Sequence, residues 1–142
     1  MQRRTLADDF SVSGQLGAGD FAALAQQGVR LVINNRPDGE APNQMSAAEG
    51  ARLAAAAGLA YRHIPVRFPT LSAAEVDLFG AAMADSDGPV HAHCAGGGRS
   101  TTLWMLSQVR RGAMTRDALL SWAAAHQIDP GPAFAWLDRH QG

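Results

Sequence analysis

The chain has 142 residues, 46% of them hydrophobic and 18% charged, with a formal net charge of -1. That length suits one domain, expected over residues 1–142, and the balance is that of an ordinary globular protein. The near-neutral charge gives no sign of a nucleic-acid-binding or membrane-binding surface. The single cysteine, Cys94, excludes an internal disulfide and a zinc site built on several thiolates. The opening MQRRTLADDF has two arginines but no apolar run after them, so it does not read as a signal peptide. No apolar stretch approaches membrane-spanning length. A free thiol without an export signal points to a reducing, cytoplasmic setting.

In chain order, DFSVSGQL alternates up to Gly14 and reads as a short edge strand. Asp20 is placed to cap a helix through FAALAQQ that Gly28 ends. VRLVINN is a β-branched run expected as a buried strand, and RPDGEAPNQ after it is a turn-rich loop. Ser46 and Glu49 form a capping-box pattern at the head of a helix that Gly58 closes. AYRHIPV is the next strand, and Ser72 with Glu75 repeats the capping box before AAEVDLFGAAMA. PVHAHC is a strand, RSTTLWMLSQVRRG a helix, and Thr115 opens another that runs to about His126. DPGP breaks the chain before a last short helix, AFAWLDRHQ. Strands alternating with helices predict an α/β domain with a mainly parallel central sheet flanked by helices. Trp104, Trp122 and Trp136 fall at positions expected to pack in the core or at its edge.

Ligands of such sheets bind beyond the carboxyl ends of the strands, and Cys94 follows one of those ends. The segment HCAGGGRS is built to hold an anion beside a reactive sulfur. Its glycines allow successive backbone N–H groups of residues 95–99 to converge on one point. The helix that follows adds unpaired donors and a partial positive charge, and Arg99 adds a planar fork suited to a tetrahedral oxyanion. The same field lowers the pKa of Cys94 and populates the thiolate, which is the nucleophile. Ser100 is positioned in sequence to donate to that thiolate or to a leaving atom. His91 and His93 share one side of a strand while Cys94 points the other way, so the three do not form a metal set, and no metal or other cofactor is expected.

HCAGGGRS resembles the phosphate-binding loop of cysteine-dependent phosphatases, particularly the dual-specificity class. SVSGQL, GVRLVINNRPDGE and YRHIPV resemble the first half of that fold. More narrowly, VINNRPDGE followed by HCAGGGRSTTLW is similar to the bacterial family of the beta-lactamase hydrolase-like protein, phosphatase-like domain, some members of which are labelled sulfurtransferases. The resemblance runs from about Asp9 to Gly112. It implies a dual-specificity-phosphatase-like fold and a hydrolase for a phosphorylated, aryl or otherwise activated substrate. Cys94 would take the phosphoryl group as a thiophosphate, and Arg99 would grip two of its oxygens. Ala95, Gly96, Gly97 and Gly98 would line the cradle. His93 would orient the loop and help keep Cys94 ionised, and Ser100 would ease breakdown of the intermediate.

Two departures from that family pattern bear on the chemistry. Four residues separate Cys94 from Arg99 where the phosphatase loop has five, and four is the spacing of rhodanese-type sulfurtransferases, whose cysteine carries a persulfide. The phosphatases place a general-acid aspartate soon after the strand that here reads HIPV, where this chain has Arg67, Phe68 and Pro69. Asp38, in the loop after the second predicted strand, stands either as a replacement acid or as the turn residue of an Asp-Gly pair, and Arg36 lies in the same loop. Arg67 would add positive charge at the mouth. Three readings therefore stand: a phosphatase-like hydrolase, a sulfurtransferase on the same cysteine, and a weakly catalytic anion-binding or thiol redox-sensing module.

Overall fold

Short β-branched runs punctuated by glycine give short strands, and capped alanine-rich segments give the helices between them. In the computed structural model, which describes residues 1–140, these are β1 (Arg4–Ala7), β2 (Phe10–Ser13), α1 (Asp20–Gln26), β3 (Leu31–Asn34), α2 (Ala47–Ala56) and β4 (Ala60–His63). A 3₁₀ turn (Phe68–Thr70), α3 (Ala73–Ala84), β5 (Val90–His93), α4 (Gly98–Arg110), α5 (Arg116–Ala125) and α6 (Gly131–Arg139) follow. The strands form one sheet in the order β1-β2-β5-β3-β4. β1 runs antiparallel to β2, and every other pairing is parallel. The expected α/β class with a mainly parallel sheet is what the chain adopts.

Period-two alternation divides the strands between two cores. Leu31 and Ile33 of β3 join Phe10, Val12, Val90 and Ala92 on the face covered by α3, α4 and the last two helices. Val32 joins Leu16, Phe21 and Leu24 on the face covered by α1 and α2. Trp104 is buried and stacks on Phe10, and Trp136 is buried with its indole N–H donating to the Leu71 carbonyl. Trp122 is partly buried and donates to the Leu6 carbonyl. The expectation that these tryptophans pack holds.

Caps explain the helix starts. Ser46, Ser72 and Thr115 each accept a hydrogen bond from the backbone N–H three residues on. Only α3 has the full reciprocal box, because Glu49 turns instead to Arg52. Asp20 is not the cap of α1. Gly19 holds that position, and the Asp20 carboxylate accepts from the Gly17 N–H at 2.7 Å. The expected edge strand at 9–16 is also corrected. β2 is interior, because the polar segment RTLA folds back as β1 and takes the edge. The last helix starts at Gly131 and ends at Arg139, and Gln141 of the predicted segment lies outside the described residues. Among the described residues no helix is long and apolar enough to cross a membrane.

The parallel register sets the site. Ser13, His93, Asn34 and His63 lie in one row across the carboxyl ends of β2, β5, β3 and β4. One residue further on, β5 delivers Cys94 and β3 delivers Asn35.

Candidate active site

The first sulfur contact follows from backbone geometry. The chain leaves β5 at His93, turns through Ala95 and Gly96, and enters α4 at Gly98. Gly97 caps that helix with φ +99°, a left-handed conformation that costs a glycine little. This turn brings the Gly97 N–H to 3.0 Å from Cys94 Sγ. Cys94 is buried, and burial pushes its thiol pKa up. The backbone N–H groups of Ser100, Gly97, Arg99 and Gly96 outweigh that effect and hold it below the usual cysteine value. Cys94 thus sits in a ring of amides that favours its thiolate form, at the head of a 13-residue helix.

The rest of the structure holds this loop rigidly. Ala95 presents its carbonyl to the Gln15 N–H at 3.2 Å. Gly14 allows that approach, since a Cβ there would lie 2.7 Å from the Ala95 oxygen. Ser100 is fully buried and donates its hydroxyl to Asn35 Oδ1 at 2.8 Å. Asn35 in turn donates from its amide side chain to the Ile64 carbonyl and from its backbone to the His93 carbonyl. The Ser100 backbone N–H therefore serves the sulfur while its hydroxyl locks α4 to the sheet.

Two buried histidines lie on β5. His93 Nδ1 lies 3.4 Å from the Cys94 carbonyl. Burial pulls its pKa down to about 4, with the charge of Arg36 acting in the same direction, so it is neutral at pH 7. The loop amides, and not an imidazolium, lower the Cys94 pKa. His91 sits between two serines. Ser13 spends its one hydroxyl proton on the Gly14 carbonyl at 2.8 Å, so it must accept from His91 Nε2–H, also at 2.8 Å. Nδ1 is then the acceptor, and it takes the Ser11 hydroxyl proton at 2.8 Å, while Ser11 accepts from Arg3 Nε–H at 2.9 Å. The chain of hydrogen bonds from Arg3 to Gly14 is fully satisfied by a neutral ring, and burial holds the His91 pKa down at about 3. Among the described residues no group of three or more His, Cys, Asp or Glu side chains is arranged to hold a metal ion.

Arg99 and Glu40 complete the rim. Arg99 donates from Nη1 to Glu40 Oε2 at 2.8 Å and to the Val66 carbonyl at 3.2 Å, and from Nη2 to Glu40 Oε1 at 2.8 Å. Arg36 donates from Nε to the same Oε1 at 3.0 Å and from Nη1 to Gln15 Oε1 at 3.1 Å. The Arg99 guanidinium, with Arg36 behind it, holds the Glu40 carboxyl at about 2 against a smaller opposing effect of burial. The site residues predicted from sequence divide accordingly. The backbone N–H groups of Gly96, Gly97, Arg99 and Ser100 face the Cys94 sulfur, Ala95 and Gly98 belong to the same turn, and His93 meets the Cys94 carbonyl. Asp38 stands elsewhere, its carboxylate accepting from the Ala47 N–H at the start of α2, at 2.8 Å. Arg67 is exposed at the head of the 3₁₀ turn. Sequence reasoning missed Glu40, Asn35 and Gln15. The one available signal was Glu40 itself, a carboxylate just past an Asp-Gly turn at the same end of the sheet as Cys94.

A groove of about 780 Å³ reaches the loop from its glycine side, lined by Gly96, Gly97 and Gly98 and by Arg3, Arg4 and Gln15 among others.

Residues 2–111 match the family described as Beta-lactamase hydrolase-like protein, phosphatase-like domain. The chain is 37% identical over 139 residues to the Beta-lactamase hydrolase-like protein of Agrobacterium fabrum, covering 98% of this chain and 32% of that protein. It spans about a third of the length of the curated relatives it matches. Among solved structures, it is similar to a candidate phosphatase from Neisseria meningitidis, with a TM-score of 0.80, 28% identity and 96% of each chain covered. It shares its fold with P. aeruginosa TpbA in complex with pTyr, at a TM-score of 0.69 and 16% identity over 94% of this chain and 80% of that one.

Proposed function

The chain belongs to the family of the Beta-lactamase hydrolase-like protein, phosphatase-like domain, and from that membership we propose that it is a cysteine-dependent phosphatase-like hydrolase of aryl or similarly activated phosphates. The observation that carries the reading is the set of backbone N–H groups from Gly96, Gly97, Arg99 and Ser100 that converge on Cys94 Sγ. The amides of that ring favour the thiolate, the nucleophilic form, without a general base. The same amides are free to follow charge onto the equatorial oxygens of a phosphoryl group. In the proposed reaction the Cys94 thiolate attacks phosphorus and the phosphorus–oxygen bond to the leaving group breaks. Water then attacks the thiophosphate, the phosphorus–sulfur bond breaks, and the thiolate returns. Arg99 grips the anion, Ala95 to Gly98 form the cradle, and His93 and Ser100 keep the loop in place through Cys94 and Asn35.

Leaving-group chemistry narrows the substrate. Glu40 is ionised and committed to two arginines, and Asp38 is committed to α2, so neither serves as a proton donor. Phenolate-type leaving groups need that proton least. The complex of TpbA with pTyr, a fold neighbour holding an aryl phosphate, agrees with this class. The test is hydrolysis of p-nitrophenyl phosphate by the wild type and by Cys94→Ser. Activity that is absent in the variant supports the reading, and full activity in a folded variant overturns the site.

The four-residue interval between Cys94 and Arg99 favours a second reading, sulfur transfer. The thiolate would attack the sulfane sulfur of thiosulfate, the sulfur–sulfur bond would break, and sulfite would leave with a persulfide on Cys94. A folded protein that is inert to aryl phosphates but gains one sulfur atom on Cys94 from thiosulfate selects this reaction. Anion binding without either reaction selects a binding or redox-sensing module.

A further inference from the structure

Glu40 lies 59 residues from Arg99 in sequence, in the loop between β3 and α2, yet it takes both ends of that guanidinium. An arginine side chain has five N–H donors. In Arg99, both Nη1 hydrogens are spent, on Glu40 Oε2 and the Val66 carbonyl, and one Nη2 hydrogen is spent on Glu40 Oε1. The two that remain, Nε–H and the second Nη2–H, lie side by side on one edge of the plane. They form the two-point grip that matches a tetrahedral oxyanion. Arg36 steadies the carboxylate from behind, and Gln15 steadies Arg36. The clamp links the loops after β2, β3 and β4 to the head of α4.

We propose that Glu40 is a positioning residue for anion capture, holding the end-on pair of Arg99 donors so that the adjoining Nε–H and Nη2–H edge faces the oxyanion over Cys94. This rests on the reading of the Cys94 loop given above. An unheld arginine would lose rotamer freedom each time it closed on an anion, whereas Arg99 has lost it beforehand. The clamp persists across the working pH range, because Glu40 stays ionised down to about 2. The contrary reading, a carboxylate plugging the substrate's own place, makes the opposite prediction: removing the charge would tighten anion binding.

The experiment uses the full chain as wild type, Glu40→Gln and Glu40→Ala. Cys94 is the only cysteine, so iodoacetamide alkylation reports on it alone. Alkylation is followed across pH, with and without inorganic phosphate, beside hydrolysis of p-nitrophenyl phosphate. The expected result is a Cys94 still alkylated below the pH range of an ordinary thiol in both variants, since the loop amides remain. The phosphate concentration giving half-protection should rise about tenfold, as befits loss of one charge-assisted grip. KM should rise more than kcat falls. Protection equal to or tighter than wild type overturns the proposal, and so does an alkylation profile that returns to that of an ordinary thiol, which would give Glu40 a part in building the loop. A wild type that phosphate fails to protect overturns it too. A wild type that phosphate protects but that hydrolyses nothing defeats the hydrolase reading and leaves the clamp standing.

Discussion

Lowering the pH from 7.5 to 5.0 should cost the fold about 4 kcal/mol, and the two buried histidines of β5 are the reason. His91 and His93 have pKa values of about 3 and about 4 against a usual 6.5, in each case chiefly because burial penalises the charged ring. His91 faces Ser11, Ser13 and the charge of Arg3, and His93 faces Arg36 and His63. Their folded pKa values are depressed, so between about 4 and 6.5 the unfolded chain binds protons that the folded chain refuses. Stability is therefore full above 6.5 and falls as pH drops through that window. At pH 5 each unfolded imidazole is about 1.5 units below its midpoint, which at 1.36 kcal/mol per unit is about 2 kcal/mol for each histidine. Glu40 works in a lower window, between 4.5 and about 2, and is still ionised in both states at pH 5. Cys94 has a depressed pKa and acts in the same direction as the histidines, so the measurement belongs in a Cys94→Ser background. The assay is urea unfolding followed by tryptophan fluorescence at the two pH values. His91→Asn should lose about half of the pH dependence, whatever its own stability. Equal stabilities at pH 7.5 and 5.0 would mean that these rings protonate freely in the fold, and the tautomer chain through Ser11 and Ser13 would be wrong.

Other substitutions probe the loop. Arg99→Lys should raise KM for an aryl phosphate at least about tenfold, because an ammonium cannot serve Glu40 and an oxyanion with two planar edges; near-normal KM would place the anion elsewhere. Gly97→Ala forces a side chain into φ +99° and sets a methyl 3.4 Å from the Ser13 carbonyl oxygen, so it should destabilise by about 1–2 kcal/mol in urea titration and slow Cys94 alkylation. Asn35→Ala leaves the buried Ser100 hydroxyl without its acceptor and should cost about 1–3 kcal/mol. Iodoacetamide should alkylate Cys94 below the pH range of an ordinary thiol, since the loop amides depress its pKa.

The sequence carried the local signals and lost the long-range ones. The strands of Leu31–Asn34 and Val90–His93, the caps Ser46, Ser72 and Thr115, and the glycine turn at Gly97 all follow from residues within a few positions of one another. β1 carries no such signal. RTLA is short and half polar, and it becomes a strand only by pairing with β2, with a register shift between Thr5 and Ala7. The interior place of β2 likewise depends on β5, about 80 residues away. The partners of His91 are two serines on a strand that sequence could not set beside it. Glu40 has the same character. Nothing near it in sequence announces Arg99, and the pair exists only because the carboxyl ends of β3 and β5 are neighbours in the sheet.

That adjacency also explains how a four-residue loop accommodates an arginine at its end. Gly98 and Arg99 are already the first residues of α4, so the path of Arg99 is fixed by the helix and not by the loop. Ser100, one residue on, is bolted to Asn35 of the β3 exit, which fixes the helix against the sheet. Glu40 and the Val66 carbonyl then turn the guanidinium from outside. Gly96 and Gly97 are left to present their N–H groups to the sulfur. It follows that lengthening the loop by one residue between Gly96 and Gly97 should disturb the thiolate and spare Arg99. In such an insertion the alkylation profile of Cys94 should move toward that of an ordinary thiol, while the fold, anchored through Ser100 and Glu40, should unfold in urea near the wild-type midpoint. An insertion that unfolded the chain would show instead that the amide ring itself holds β5 to α4.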